Sequence, residues 1–181
     1  MQSESTLVTQ VAIPPRSRIA HIYKSTNLAD AYAIRLPIGT SLDPELLARF
    51  ILTHQPSWIG TLTRIRDAVV ACFGLKTAKH LATLSQDADS KRISFFKVYS
   101  TSKTEIVLGE DDKHLDFRVS VLCSDERSPE IGEQLILSTV VNCHNLLGRT
   151  YILIIAPFHR MVVKASLRRA ANLGWPAASR T

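Results

Sequence analysis

Apolar residues fall on every second position most clearly in one stretch, where Leu115, Phe117, Val119, Val121 and Cys123 alternate with Asp116, Arg118, Ser120 and Leu122. Successive side chains of a strand point to opposite faces, so this stretch predicts a strand with the Leu115 to Cys123 set on the core side. His114, Asp116 and Arg118 then share the other side, which is expected to face solvent or a second protomer. Phe96 to Ser100 and Glu105 to Gly109 read as a hairpin around Ser102-Lys103, followed by a polar turn at Glu110 to Lys113. Ser124 to Gly132 reads as a turn and Gln134 to Cys143 as a further strand. Near the start of the chain Ile19, His21 and Tyr23 alternate, as do Tyr32, Ile34 and Leu36 before Pro37, so extended chain is expected from Arg18 to Leu36.

Helical spacing appears in three places. Asp43-Pro44 combines an N-cap residue with proline at the first helical position, and Leu46, Leu47, Phe50 and Ile51 follow as one apolar face. Gln55-Pro56 interrupts that helix and begins a second, in which Trp58, Leu62, Ile65, Val69 and Phe73 form a stripe ending at Gly74. Residues 76–93 read as a long polar connection. From Gly148 to Leu173 the pattern fits a single helix of about seven turns, kinked at Pro157. A buried strand over Tyr151 to Ile155, with the helix starting near Pro157, is the alternative; the single helix is favoured. Leu173-Gly174-Trp175-Pro176 stops it.

The order is strand, two shorter helices, a run of hairpin-connected strands, long helix. It predicts an α+β fold in which an antiparallel sheet wraps around the long C-terminal helix, the element order of helix-grip folds. The expected organisation is a flexible arm or lead-in strand over 1–17, one domain over 18–175 and a tail over 176–181. The chain's 181 residues are enough to bury a core without metals or disulfides.

Charge changes the picture locally. The net charge is +6, and no Asp or Glu occurs from Gln134 to Thr181, where Arg149, Arg160, Lys164, Arg168, Arg169 and Arg180 together supply it. Arg160, Lys164 and Arg168 stack at helical steps of four, with Arg149 near the same line. Such a stripe either grips anions or forms a solvated face. Nucleic acid is disfavoured, because neither base-stacking aromatics nor a recognisable motif accompanies it. No uninterrupted apolar run approaches the roughly eighteen residues of a spanning helix, so no membrane span is expected. Binding at a membrane surface would require an exposed apolar face, which the sheet is expected to cover. The start of the chain has no signal-peptide pattern, and Cys72, Cys123 and Cys143 are widely spaced. Free thiols in a bacterial-type cytoplasm are therefore expected.

Candidate chemistry is sparse. His144, Asn145 and Arg149 sit at a strand-to-helix corner; they either hold an anion or carboxylate or satisfy free backbone groups there. His114, Asp116 and Arg118 include an Asp/His combination suited to acid–base work. Asp111, Asp112 and His114 match no metal-ligand spacing, and no metal is assigned. Cys143 beside His144 suggests a nucleophile pair, yet on a regular strand the two point apart. Phosphate loops, dinucleotide fingerprints and serine elbows are missing, and no cofactor is expected.

Three strings in order, Gly109 to Leu122, His144 to Tyr151 and Ala156 to Arg160, together with Asp30-Ala31-Tyr32 through Leu36-Pro37 and the Trp58 helix, resemble an uncharacterised bacterial family, domain-of-unknown-function family 2867. The resemblance covers roughly residues 28–171. It implies a fold near the ligand-binding START and Bet v 1 type; because the family has no established reaction, no catalytic residue is carried over.

These readings converge on a module that binds a small apolar or amphipathic ligand between sheet and C-terminal helix. The expected lining is Phe96, Val98, Phe117, Val119 and Leu137 with Thr139, Tyr151, Ile155 and Phe158, and His144, Asn145 and Arg149 lie at a rim; a packed core of the same residues is the alternative. Two other functions stay open: an enzyme using His144 or His159 as acid–base group, and an anion-binding or assembly module using Arg149, Arg160, Lys164 and Arg168. A homodimer is a further expected partner.

Overall fold

The computed structural model describes residues 6–62, 64, 91–94, 96–124 and 133–178. Seven strands form one antiparallel sheet: β1 (Thr9–Val11), β2 (Leu28–Arg35), β3 (Arg92–Ile93), β4 (Phe96–Thr101), β5 (Glu105–Asp111), β6 (Leu115–Ser124) and β7 (Gln134–Cys143). Their order is β1-β2-β7-β6-β5-β4-β3. The hairpin partners are neighbours, and the crossover from β2 to β3 places the first long strand beside the last. Helix α1 (Pro44–Thr53) follows β2, a further helical stretch occupies 57–62, and α2 (Leu146–Leu173) ends the fold. This is the predicted α+β architecture, consistent with a helix grip.

Local signals account for the helix ends. The Asp43 side chain accepts from the Glu45 N–H at 2.9 Å, and Asn145 caps α2 by accepting from Gly148 N–H at 3.0 Å. Pro157 lies inside α2, so the single-helix reading holds. Gly174 follows at φ 87°, a conformation that favours glycine. The chain after it, read as a tail, returns to the loop after β2: Ser41 N–H donates to Pro176 O and Ala178 N–H to Gly39 O, each at 2.8 Å. In α1, Leu47, Ala48 and Ile51 are buried while Leu46 is exposed. Trp58 is also exposed, with Ile59 buried in its place. The remainder of the predicted second helix, Cys72, and most of the 76–93 connection and the 124–132 turn lie outside the described residues.

Two expectations about the N-terminal third are corrected. Residues 17–25 form turns rather than a strand: Ala20 N–H donates to Ser17 O and Ile22 N–H to Ile19 O. The alternation at Ile19 and Tyr23 therefore reflects two apolar contacts made by a turning chain. Those contacts are with the side of the sheet expected to face solvent. Ile19 packs with Val107 and Val140, joined by Ile13, Tyr23 and Tyr99, while Val11 and Ile13 cover Ala31, Ala33, Leu122 and Ile136. The outer face of β6 is thus closed by the chain's own N-terminal segment.

Candidate functional site

Over residues 117–120 of β6 the usual relation between polarity and burial is reversed. The outward residues Arg118 and Ser120 are buried, whereas Phe117 and Val119, which face α2, are only partly so. Outside, Glu105 is 3% exposed. It accepts from Ser17 Oγ and Ser120 Oγ, each at 2.6 Å, and from the Arg18 N–H at 3.0 Å. Arg118 lies over the Tyr99 ring at 3.6 Å and pairs across to the neighbouring strand β5 with Asp111 at 2.7 Å. Burial and the bond to Asp111 both push the Tyr99 hydroxyl above its ordinary pKa, and burial pushes Tyr23 up to about 12. These groups hold the N-terminal segment against the sheet, and their positions leave the Asp111 carboxylate committed to protein partners.

The inner face is arranged differently. Val119, Thr139 and Asp30 lie on one rung across β6, β7 and β2, so about 10 Å separates the first from the last. Toward the sheet's β4 side the surface is apolar: Phe96 and Phe117 meet edge to face with centroids 5.8 Å apart, and Phe96, Val98, Phe117 and Val119 all keep partial exposure. Toward β2 it turns polar beneath α2. Asp30, 4% exposed, accepts from Arg160 Nε at 3.1 Å. The Lys164 ammonium lies 5.3 Å from the Tyr32 ring centroid.

Three buried polar atoms in this region have no hydrogen-bond partner among the described residues: Tyr32 OH, His159 Nε2 and Ser166 Oγ. His159 and Ser166 are two helical turns apart on the side of α2 that buries Val163, Leu167 and Ala170. Burial holds His159 below its ordinary pKa despite the opposing charge of Asp30; it also raises Tyr32, with Asp30 adding to the effect. Both side chains are therefore neutral at neutral pH. A buried polar atom left unpaired costs roughly 1–3 kcal/mol, and a group left so can receive a ligand's own donor or acceptor.

A second constellation forms at the N-terminal end of α2. His144 Nε2 bonds Asp116 Oδ2 at 2.9 Å, and Asn145 Nδ2 donates to His114 Nδ1 at 2.9 Å. Gly148 permits this closeness: a Cβ there would stand 2.3 Å from the His114 carbonyl oxygen. The sequence identified all four side chains but in two separate groups. The strand pairing unites them, since His144 N–H donates to His114 O. Asn145 spends its side chain on the cap and on His114, a structural use of the corner.

The predicted lining residues divide. Phe117, Val119 and Thr139 face α2, and Tyr151 packs with Leu28, Leu115, Val141, Cys143 and Ile152. Ile155 is half-buried, and Phe158, 44% exposed, points away from the sheet. Arg149 and Arg160 are eleven positions apart on α2, about 16 Å along its axis, so the His144 corner does not meet the Asp30 region. The predicted basic stripe is also divided. Arg160 is neutralised by Asp30, Lys164 leans on Tyr32, and Arg149 and Arg168 remain exposed. Cys143 is buried with its thiol pushed up, chiefly by burial, and His144 is engaged by Asp116, so the two do not form a nucleophile pair. Asp30, Tyr32 and Ser166 were missed. Asp30 and Tyr32 alternate within an apolar strand, a signal that polar groups face the core.

By length and composition alone α2 is long and apolar enough to cross a membrane. The basic residues within it conceal this in a search for continuous apolar runs.

Residues 22–166 match the family model described as "Protein of unknown function (DUF2867)". No curated protein and no solved structure matches the chain. The match spans most of the sequence and includes β2 through the first twenty-one residues of α2, so the chain belongs to this family.

Proposed function

We propose that this member of the DUF2867 family binds a small amphipathic molecule between the inner face of its sheet and α2. The observation that carries the reading is the reversal over residues 117–120 of β6: outward Arg118 and Ser120 are sealed, while inward Phe117 and Val119 keep solvent contact. The molecule's apolar body lies along Val98, Phe117 and Val119. Its polar groups meet Tyr32 OH, His159 Nε2 and Ser166 Oγ, which lack partners among the described residues, the last two being two turns apart on α2. A neutral imidazole and two hydroxyls offer both donors and acceptors, which suit uncharged hydroxyl, carbonyl or amide groups on the ligand. The grip of a sheet on a long C-terminal helix supports a kinship of architecture with START and Bet v 1 proteins, an analogy of fold. Buried free Cys123 and Cys143 support a reducing cytoplasm as its location.

The test is titration with an environment-sensitive fluorescent fatty alcohol. Wild-type protein raises its emission saturably, and Val119→Trp, which fills the apolar end, abolishes the rise. Tyr32→Phe and Ser166→Ala retain it with weaker affinity. An absence of saturable binding by the wild type, or undiminished binding by Val119→Trp with native circular dichroism, overturns the reading.

A second reading, acid–base chemistry at the His144 corner, is favoured by the Asp116–His144 bond, which orients an imidazole that retains 35% exposure. It requires turnover of some substrate that His144→Ala abolishes while Arg149→Ala does not.

A further inference from the structure

The sequence led us to expect that the sheet would cover the apolar side of α2. The structure leaves much of it uncovered. Leu146, Leu153, Ile154, Phe158 and Met161 are each 44% to 78% exposed. With 100° between successive residues, Leu146, Leu153, Pro157 and Met161 lie along one outward line, which the exposed Arg168 continues. Apart from Thr150 the line is apolar for four turns, about 22 Å, then basic. Arg149 and Arg169 flank it, both exposed. None of Arg149, Arg168 and Arg169 has a carboxylate partner among the described residues, and α2 and the chain after it contain no Asp or Glu.

We infer that this outward stripe of α2 docks on an anionic lipid surface, with the apolar half among the acyl chains at the headgroup boundary and the basic half among the headgroups. The charge decides between occupants. A second copy packing through the same stripe would bring Arg149, Arg168 and Arg169 of both chains together with no acid to offset them. A lipid surface of opposite sign satisfies both halves at once: a helix lying in the interface gains from buried apolar area and from attraction of its basic residues to anionic lipid. The buried side of α2, with Ile152, Val163, Leu167 and Ala170 against the protein, keeps the helix lying along the surface rather than crossing it. This inference uses residues outside the proposed binding region and stands independently of it.

The experiment is co-sedimentation of the full chain with vesicles of phosphatidylcholine alone or with about a third phosphatidylglycerol, at low and high salt. The protein is expected to sediment with the mixed vesicles at low salt and to be released by high salt. Arg168→Gln and Arg169→Gln each weaken binding about fivefold, and Leu153→Asp with Ile154→Asp abolishes it without changing the circular dichroism. Three results overturn the inference. The protein stays in the supernatant with anionic vesicles; it binds both vesicle types equally at either salt; or Leu153→Asp with Ile154→Asp converts a native dimer to monomer, which assigns the stripe to a second copy.

Discussion

The two faces of the sheet use polar residues in opposite ways. On the outer face Glu105 takes hydrogen bonds from Ser17, Ser120 and the Arg18 backbone, and Arg118 has both an ion pair and a ring beneath it. On the inner face Asp30 is paired with Arg160, but Tyr32, His159 and Ser166 each present a buried polar atom with no partner among the described residues. The outer face does contain unpaired atoms, Tyr23 OH, Ser138 Oγ and Arg118 Nε among them; its charged groups, however, each have an ion pair or hydrogen bonds and tie together distant parts of the chain. The comparison teaches that burial alone does not mark a site. What marks it is buried polarity that the fold has not used, beside apolar surface that the fold has not covered.

Substitutions sharpen this difference, and the largest effect belongs to the outer face. Glu105→Ala removes the shared acceptor of two hydroxyls and a backbone N–H and is expected to cost about 3 kcal/mol, seen as a fall in the denaturant midpoint and faster tryptic cleavage at Arg16 or Arg18. On the inner face the sign is opposite. Tyr32→Phe or Ser166→Ala removes an unpaired group and is expected to leave stability unchanged or raise it by up to about 1 kcal/mol while weakening the bound probe. Destabilisation by about 2 kcal/mol in either variant would show that these groups are structural and erase the contrast between the faces.

A smaller effect is a pH dependence. Because burial holds His159 below its ordinary pKa, the unfolded chain takes up this proton first as pH falls. The contribution of His159 is therefore fully present above the unfolded value of about 6.5 and is lost as pH drops from there toward the folded value. Midpoints measured between pH 8 and pH 5 should decline less in His159→Leu than in the wild type; parallel declines would assign the loss to other groups. The smallest effect concerns Cys123. Burial pushes its thiol up to about 12, so a water-soluble disulfide reagent at neutral pH should modify it only after denaturation, as read by peptide mass. Modification of Cys123 in the folded protein would show that the inner core opens.

Much of the frame was legible. The alternation from Leu115 to Cys123 identified both the central strand and the face that meets the helix, because period-two patterning is local. Asp43-Pro44 and Leu173-Gly174 marked helix ends for equally local reasons. What escaped was set by pairs distant in sequence. Ser17 meets Ser120 across 103 positions and Arg160 meets Asp30 across 130. Without the first contact, Asp116, Arg118 and Ser120 read as a solvent face; without the second, Arg160 reads as part of a free basic stripe. Phe158 has the composition of a lining residue but points outward, since only its phase against Val163 and Leu167 decides the matter.

The central claim, that the inner face receives a small molecule, is tested most directly by the mass of the purified protein under native and denaturing conditions, with Val119→Trp measured in parallel. The account predicts that the native wild type, as purified or after incubation with the fatty alcohol probe, exceeds its denatured mass by one discrete small-molecule increment that the variant lacks. A native wild-type mass equal to the bare chain under both conditions, or the same increment on Val119→Trp, would contradict it.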